Sequence, residues 1–315
     1  MPQSDLRTLG LLLIDGFALM SYASVIEPFR AANRLAGREL YRWLHVSIDG
    51  KPVTASNGAQ IVADAKVGDA LPCDALFLFA GGDPSSFDDP ATFGWLRQLA
   101  RSGVQIAGIS GGPYILARAG LLDGFRATVH WEHQDAFREA FPTLALEPVL
   151  YVIDRGRMTC AGGTAGLDLA TALIAREHGE TLAGQVSDWF IRTDPRRADL
   201  PQRASLTERY GVTNERLLRV LAEMEATLDA PRSRAALAER AGISERQLER
   251  LFARHMNMPP GTAYREVRLR KAEQMLRATG LSVTEIALAC GFASASHFSR
   301  CVRARFGRAP SAMRG

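Results

Sequence analysis

The chain has 315 residues, 47% hydrophobic and 23% charged, with a net charge of +4, long enough for two domains with separate cores. No apolar run reaches the roughly 18 residues of a membrane span, and the first hydrophobic stretch, Leu9 to Ile14, ends at Asp15 without a signal peptide's basic leader and cleavage site, so a cytoplasmic location with no membrane partner is expected. Cys73, Cys160, Cys290 and Cys301 are widely spaced with no CxxC pair, which argues against metal or disulfide roles; no metal and no cofactor are expected.

In chain order, residues 6–14 form a nearly continuous apolar run, the mark of a strand buried on both faces. Similar runs at 44–48, 75–80 and 104–109 alternate with helical patterns at 19–36, 90–102, 112–120 and 164–178. This alternation predicts an α/β domain with a mostly parallel sheet. The segment 146–162, turning at Arg155-Gly156-Arg157, reads as an appended hairpin. The expected domains are 1–192 and 213–315, joined by a polar linker over 193–212 that carries Asp194-Pro195-Arg196-Arg197 and Pro201.

The second domain repeats itself. Leu237, Ala238, Ala241, Gly242 and Ile243 correspond to Ile286, Ala287, Cys290, Gly291 and Phe292 at an offset of 49. Ser244, Leu248, Arg250, Leu251 and Phe252 correspond to Ser294, Phe298, Arg300, Cys301 and Val302 at an offset of 50. A helix, a glycine that accepts a left-handed turn, and a second helix make a helix-turn-helix; two are expected, at about 233–256 and 282–306. The charge agrees: residues 201–315 carry 20 Arg and Lys against 11 Asp and Glu, net +9, whereas residues 1–200 carry 18 against 23, net −5. A basic segment on an acidic body suits a polyanion such as double-stranded DNA.

Helical geometry then selects the residues available to DNA. With Leu248, Leu251 and Phe252 turned inward, the first recognition helix leaves Arg246, Gln247, Glu249, Arg250 and Arg254 outside. With Phe298, Val302 and Phe306 inward, the second leaves Ser296, His297, Ser299, Arg300 and Arg303. Arg246, Glu249, Arg250, Ser296 and Arg300 are the candidates for base edges, since Arg pairs with guanine and Glu accepts from cytosine. The alternative is that these arginines only solvate the surface or pair with Glu245 and Glu249. The helix at 262–277 is expected to hold the two readers about 34 Å apart, in successive major grooves.

In the first domain, Gly108-Ile109-Ser110-Gly111-Gly112 matches the G-x-S-x-G elbow, in which a sharp turn exposes a side chain above the sheet. Three readings stand beside one another: a serine hydrolase in which His130 assists Ser110, a turn serine capping the helix that starts at Gly112, and a ligand pocket that keeps the geometry without the reactivity. His130-Trp131-Glu132-His133 reads as a metal patch or, more simply, as a helix start. Trp131 and Trp189 suit either a core or the aromatic wall of a cation site.

Residues 6–190 resemble the class I amidotransferase-like, PfpI-type domain, through Asp15-Gly16-Phe17, Glu27-Pro28-Phe29-Arg30-Ala31-Ala32-Asn33, Gly81-Gly82-Asp83, the elbow, and Ala127-Thr128-Val129-His130-Trp131. Residues 214–315 resemble the AraC/XylS-type DNA-binding domain, through Leu237-Ala238-Glu239-Arg240-Ala241-Gly242-Ile243-Ser244, Ile286-Ala287-Leu288-Ala289-Cys290-Gly291-Phe292 and Phe306-Gly307-Arg308-Ala309-Pro310-Ser311. Together they resemble the GlxA-type branch of AraC-family regulators, several of which answer to arginine, carnitine or glycine betaine. The resemblance implies a flavodoxin-like, amidotransferase-like α/β domain followed by an all-α double helix-turn-helix domain. It also implies a small-molecule effector, a homodimer and RNA polymerase as partners. In the superfamily's enzymes the elbow residue is a cysteine, assisted by a histidine and a glutamate. Serine at 110 departs from that pattern and implies a non-catalytic pocket formed by Glu27, Gly82, Ser110, Gly111, His130 and Trp131. There Glu27 would meet an ammonium group and the amides after Ser110 a carboxylate. The alternative is a Ser-dependent hydrolase or amidotransferase-like enzyme fused to a DNA-binding domain.

Overall fold

The computed structural model describes residues 6–279 and 281–313; residues 1–5 and 314–315, the outer ends of the two expected domains, lie outside them. The chain divides into two compact units between Gln202 and Arg203.

The first unit opens with β1 (Arg7–Leu13), α1 (Leu19–Ala36) and β2 (Tyr41–Ser47). The short strands β3 (Val53–Thr54), β4 (Gln60–Ile61) and β5 (Ala65–Lys66) follow, then β6 (Ala75–Ala80), α2 (Pro90–Arg101), β7 (Gln105–Ser110) and α3 (Gly112–Arg118). After β8 (Arg126–Ala127), α4 (Gln134–Ala140) and β9 (Ala145–Leu146) come β10 (Tyr151–Asp154), β11 (Arg157–Cys160), α5 (Ala165–His178) and α6 (Glu180–Trp189). Seven strands form one sheet in the order β10-β11-β7-β6-β1-β2-β5. Every described pairing in it is parallel except β10 with β11.

The apolar runs read as doubly buried strands are so because helices cover both faces. Leu9, Leu11 and Leu13 of β1 pack with Val25 and Phe29 of α1 and Leu169 of α5, while Leu12 packs on the opposite face with Leu96 of α2 and Leu116 of α3. The hairpin is no appendage: β11 lies parallel to β7, and β10 forms the edge of the main sheet. The sequence patterns missed α6, whereas the helix start read at His130-Trp131-Glu132-His133 leads directly into α4.

The second unit is helical: α7 (Leu206–Tyr210), α8 (Glu215–Ala226), α9 (Arg234–Arg240), α10 (Glu245–Met256), α11 (Pro260–Ala278), α12 (Val283–Ala289) and α13 (Ala295–Phe306). Each helix of the two helix-turn-helix pairs opens on a serine, Ser233, Ser244, Ser282 or Ser294, whose hydroxyl accepts an amide of the first turn. Two cores result, and α11 belongs to both. Ala263 and Tyr264 join Leu237, Leu248 and Phe252, whereas Leu269, Ala272 and Leu276 join Ile286, Phe298 and Val302. Arg268 fastens the second turn to this shared helix, donating to the carbonyls of Cys290 (2.6 Å) and Gly291 (2.5 Å) and stacking 4.1 Å from the Phe292 ring.

Much of the segment expected as a linker is packed. Arg196 and Gln202 bond within the first unit, and in the second Arg209 and Tyr210 bond to Glu225 of α8 at 2.6 and 2.7 Å. Among the described residues no helix is long and apolar enough to cross a membrane.

Candidate functional site

Strand β7 delivers Ser110 to the carboxyl end of the sheet with φ of 61°, a left-handed conformation that a serine adopts only where its surroundings impose it. The elbow is tight: a Cβ on Gly108 would stand 2.7 Å from the Pro113 nitrogen. Gly111 caps α3 with no side-chain bond, so the reading of Ser110 as a helix cap is corrected. The Ser110 hydroxyl has no hydrogen-bond partner among the described residues, although the residue is only 7% exposed.

Of the six residues grouped here from sequence, Gly82, Ser110, Gly111 and His130 are brought together and Glu27 is not. Gly82 and Gly111 sit at the ends of the adjacent strands β6 and β7, where Ala80 is in register with Ser110, and His130 donates its backbone N–H to the Ser110 carbonyl at 3.2 Å. Glu27 does not reach the elbow: its half-exposed carboxylate pairs with Arg30 at 2.6 Å. The residue of α1 that does is Ser21, six positions or about 9 Å earlier along the helix. A Cβ on Gly162 would lie 2.6 Å from Ser110 Cβ and 2.8 Å from Ser21 Oγ. The two serines therefore face each other across that glycine, and Ser21 Oγ accepts the Gly163 amide at 2.7 Å. Ser21 gave no signal in the sequence because a buried serine early in a helix resembles any small packing residue.

The His130 ring is turned to its own segment: Nδ1 accepts the Glu132 amide at 3.4 Å and stands 3.5 Å from the Glu132 carboxylate. Burial holds its pKa below the usual value, and burial with the charge of His130 pushes His133 down to about 4. Trp131 is half-buried, its ring centroid 5.5 Å from that of His130. Trp189 is 47% exposed at the end of α6, with no ring contact to Trp131 among the described residues. The elbow is thus a neutral nest of two hydroxyls and backbone from Gly162, Gly163 and His130.

On the second unit, Arg246, Arg250 and Arg254 of α10 and Arg300 and Arg303 of α13 are exposed, with no ion-pair partner among the described residues. The acids expected to compete for them are engaged elsewhere: Arg234 of α9 pairs with Glu249 at 2.6 Å and with Glu245 at 3.2 Å. Glu249 and Gln247 are therefore tied down in this state, Gln247 by its capping box with Ser244. Ser296 and His297 are exposed in the first turn of α13, and Ser299 is half-buried. The His297 ring meets Phe292 edge to face at 5.8 Å.

Residues 10–176 match the DJ-1/PfpI family and residues 237–315 a helix-turn-helix domain. The chain is similar to the HTH-type transcriptional regulator CdhR of Pseudomonas aeruginosa, 47% identical over 300 residues covering 95% of this chain and 89% of that protein. It is also similar to the HTH-type transcriptional regulator GlxA of Rhizobium meliloti, 42% identical over 98% of this chain and 96% of that one. The crystal structure of an AraC family transcriptional regulator from Pseudomonas putida superposes with a TM-score of 0.54 at 25% identity, over 58% of this chain and 99% of that one.

Proposed function

The chain belongs to the HTH-type transcriptional regulators that join a DJ-1/PfpI domain to an AraC-type helix-turn-helix domain, and from that premise we propose that it is a cytoplasmic activator of a catabolic operon, binding its operator as a homodimer and acting on RNA polymerase. One observation carries the DNA-reading part: the outer faces of α10 and α13 present Arg246, Arg250, Arg254, Arg300 and Arg303 with no ion-pair partner among the described residues, Arg234 taking up both acids of α10. Arg246, Arg250 and Arg300 read base edges, with Ser296, while Arg254 and Arg303 meet phosphate.

The effector occupies the elbow of the first unit and undergoes no chemistry there. A neutral nest of hydroxyls suits a carboxylate, and the Trp131 face beside it suits an ammonium or quaternary amine, so an amino acid or betaine satisfies both ends. Glu27, held by Arg30, has no part in this version of the site. A thermal-shift screen of the full chain against L-arginine, glycine betaine and carnitine tests the reading, since a ligand that binds only the folded state raises its stability by mass action. Stabilisation that survives Ser110→Trp would move the effector out of the elbow.

A further inference from the structure

The ten residues before the second unit are fastened at two points, and each fastening lies one residue from a wall of the elbow. At the first, the Arg196 backbone N–H donates to Asp168 at 2.9 Å and its guanidinium donates to Asp168 and to Thr164, each at 2.8 Å. Arg192 bonds to the same carboxylate, which is fully buried at the start of α5. Thr164 directly follows Gly162-Gly163, the pair wedged against Ser110 and Ser21. At the second, the Gln202 side-chain nitrogen lies 2.9 Å from Thr128 Oγ1, 2.9 Å from the Val129 carbonyl and 2.8 Å from the Val149 carbonyl. Val129 directly precedes His130, whose N–H is held by the Ser110 carbonyl.

Between these points the segment lies along the start of the edge strand. The Leu150 amide donates to the Ala198 carbonyl at 3.0 Å, and Val149 bridges to Pro201. A cavity of about 280 Å³ remains beside it, with Ala198 and Asp199 on one wall and Val152 and Ile153 of β10 on the other. The second fastening is incompletely satisfied. An amide NH₂ has two hydrogens for three acceptors here, and the Gln202 carbonyl oxygen is buried with no partner among the described residues, so its desolvation is not offset by a hydrogen bond.

We propose that residues 196–202 form a strap that carries the occupancy of the elbow to the chain entering the DNA-binding unit. The proposal rests on the reading that the effector binds at Ser110. A ligand seated against that hydroxyl presses on Gly162-Gly163 or on His130, and either movement reaches a strap fastening within one residue. Arg196 is the fixed end, through its ion pair with the buried Asp168; Gln202 is the releasable end and a positioning residue, with no contact to the effector. By linkage, loosening Gln202 also changes effector affinity.

Hydrogen exchange of the full-length chain, read by mass spectrometry for wild type, Ser110→Trp, Gln202→Met and the double variant, tests this without a known effector. Filling the elbow with tryptophan is expected to speed exchange at least fivefold at residues 149–150 and 203–210, leaving α11 unchanged. In Gln202→Met the same segments exchange fast from the start, and adding Ser110→Trp changes nothing further; this non-additivity is a readout that a merely structural role for Gln202 would not give. Should Ser110→Trp fail to fold, Ser21→Ala, which removes the acceptor of the Gly163 amide, is expected to loosen 196–202 in the same way. If exchange changes at 128–130 and 162–166 but stays at wild-type rates across 149–150 and 196–210, the strap is overturned. Loss of glycine betaine or L-arginine stabilisation in Ser110→Trp with that same unchanged strap would leave the effector reading standing while the strap fails.

Discussion

Arg234 holds Glu249 in a 2.6 Å ion pair across the first helix-turn-helix, joining α9 to the helix that would enter the groove. More than half of each side chain is exposed, so the pair adds little to stability. Its consequence is electrostatic: with Glu245 and Glu249 facing Arg234, the positive charge of Arg246 and Arg250 is uncompensated on the outer face.

Arg234→Ala is therefore expected to weaken DNA binding several-fold while leaving the melting temperature nearly unchanged. Fluorescence anisotropy on a labelled duplex, beside a thermal melt, measures both. Adding Glu249→Ala should restore most of the lost affinity; a double variant no better than Arg234→Ala alone would mean that Arg234 contacts DNA itself.

The two turn glycines are equivalent in sequence but not in surroundings. Gly242 and Gly291 have φ of 64° and 69°, yet a Cβ on Gly242 would meet nothing within 4 Å, whereas one on Gly291 would strike the Leu228 carbonyl and stand 2.7 Å from the Pro231 ring. Gly242→Ala should cost about 1 kcal/mol, the left-handed penalty alone, and Gly291→Ala about 2 to 4 kcal/mol. Urea unfolding of the two variants compares them directly, and equal losses would contradict the packing described at Leu228 and Pro231.

Acid should destabilise the first unit through its buried histidines. In the unfolded chain His133 titrates near its ordinary value of 6.5, but in the folded chain burial brings it down to about 4 and also lowers His130. Between those values the unfolded chain binds protons that the folded chain does not. For His133, stability is then complete above pH 6.5 and falls as the pH drops towards 4, by up to about 1.4 kcal/mol per pH unit, and the lowered pKa of His130 acts in the same direction. Denaturant melts at pH 7 and pH 5 should show a smaller acid loss for His133→Leu than for wild type; the same loss in both would clear His133 of the effect.

The sequence made the large elements legible where one physical signal dominated. β1, β6 and β7 are apolar throughout because helices cover both faces, and α10 and α13 follow from serine caps and a fixed inward spacing. It could not show contacts set by long-range packing. Motif order points Glu27 at the elbow, but helical geometry puts Ser21 there and leaves Glu27 beside Arg30. The capture of Glu249 by Arg234, and of Arg196 by Asp168, joins residues 15 and 28 positions apart through side chains whose local pattern is only that of a solvated surface.

The elbow should be chemically silent. The His130 imidazole is bonded to the Glu132 amide and makes no hydrogen bond to the Ser110 hydroxyl among the described residues, so nothing activates the serine. Purified chain is expected to turn over esters, amides and α-oxoaldehydes no faster than Ser110→Ala. Hydrolysis that disappears in that variant would make the first unit an enzyme.

The most direct measurement is footprinting of the full-length chain on fragments that it selects from its own genome. Two readers fixed to α11 should protect two patches centred about one helical turn apart on one face of the duplex for each copy bound. Arg300→Ala should relax base preference at one position within one patch, at a cost of about 1 to 3 kcal/mol. Uniform coating without preferred sequences, or an Arg300→Ala variant weakened equally on every sequence, would contradict the account.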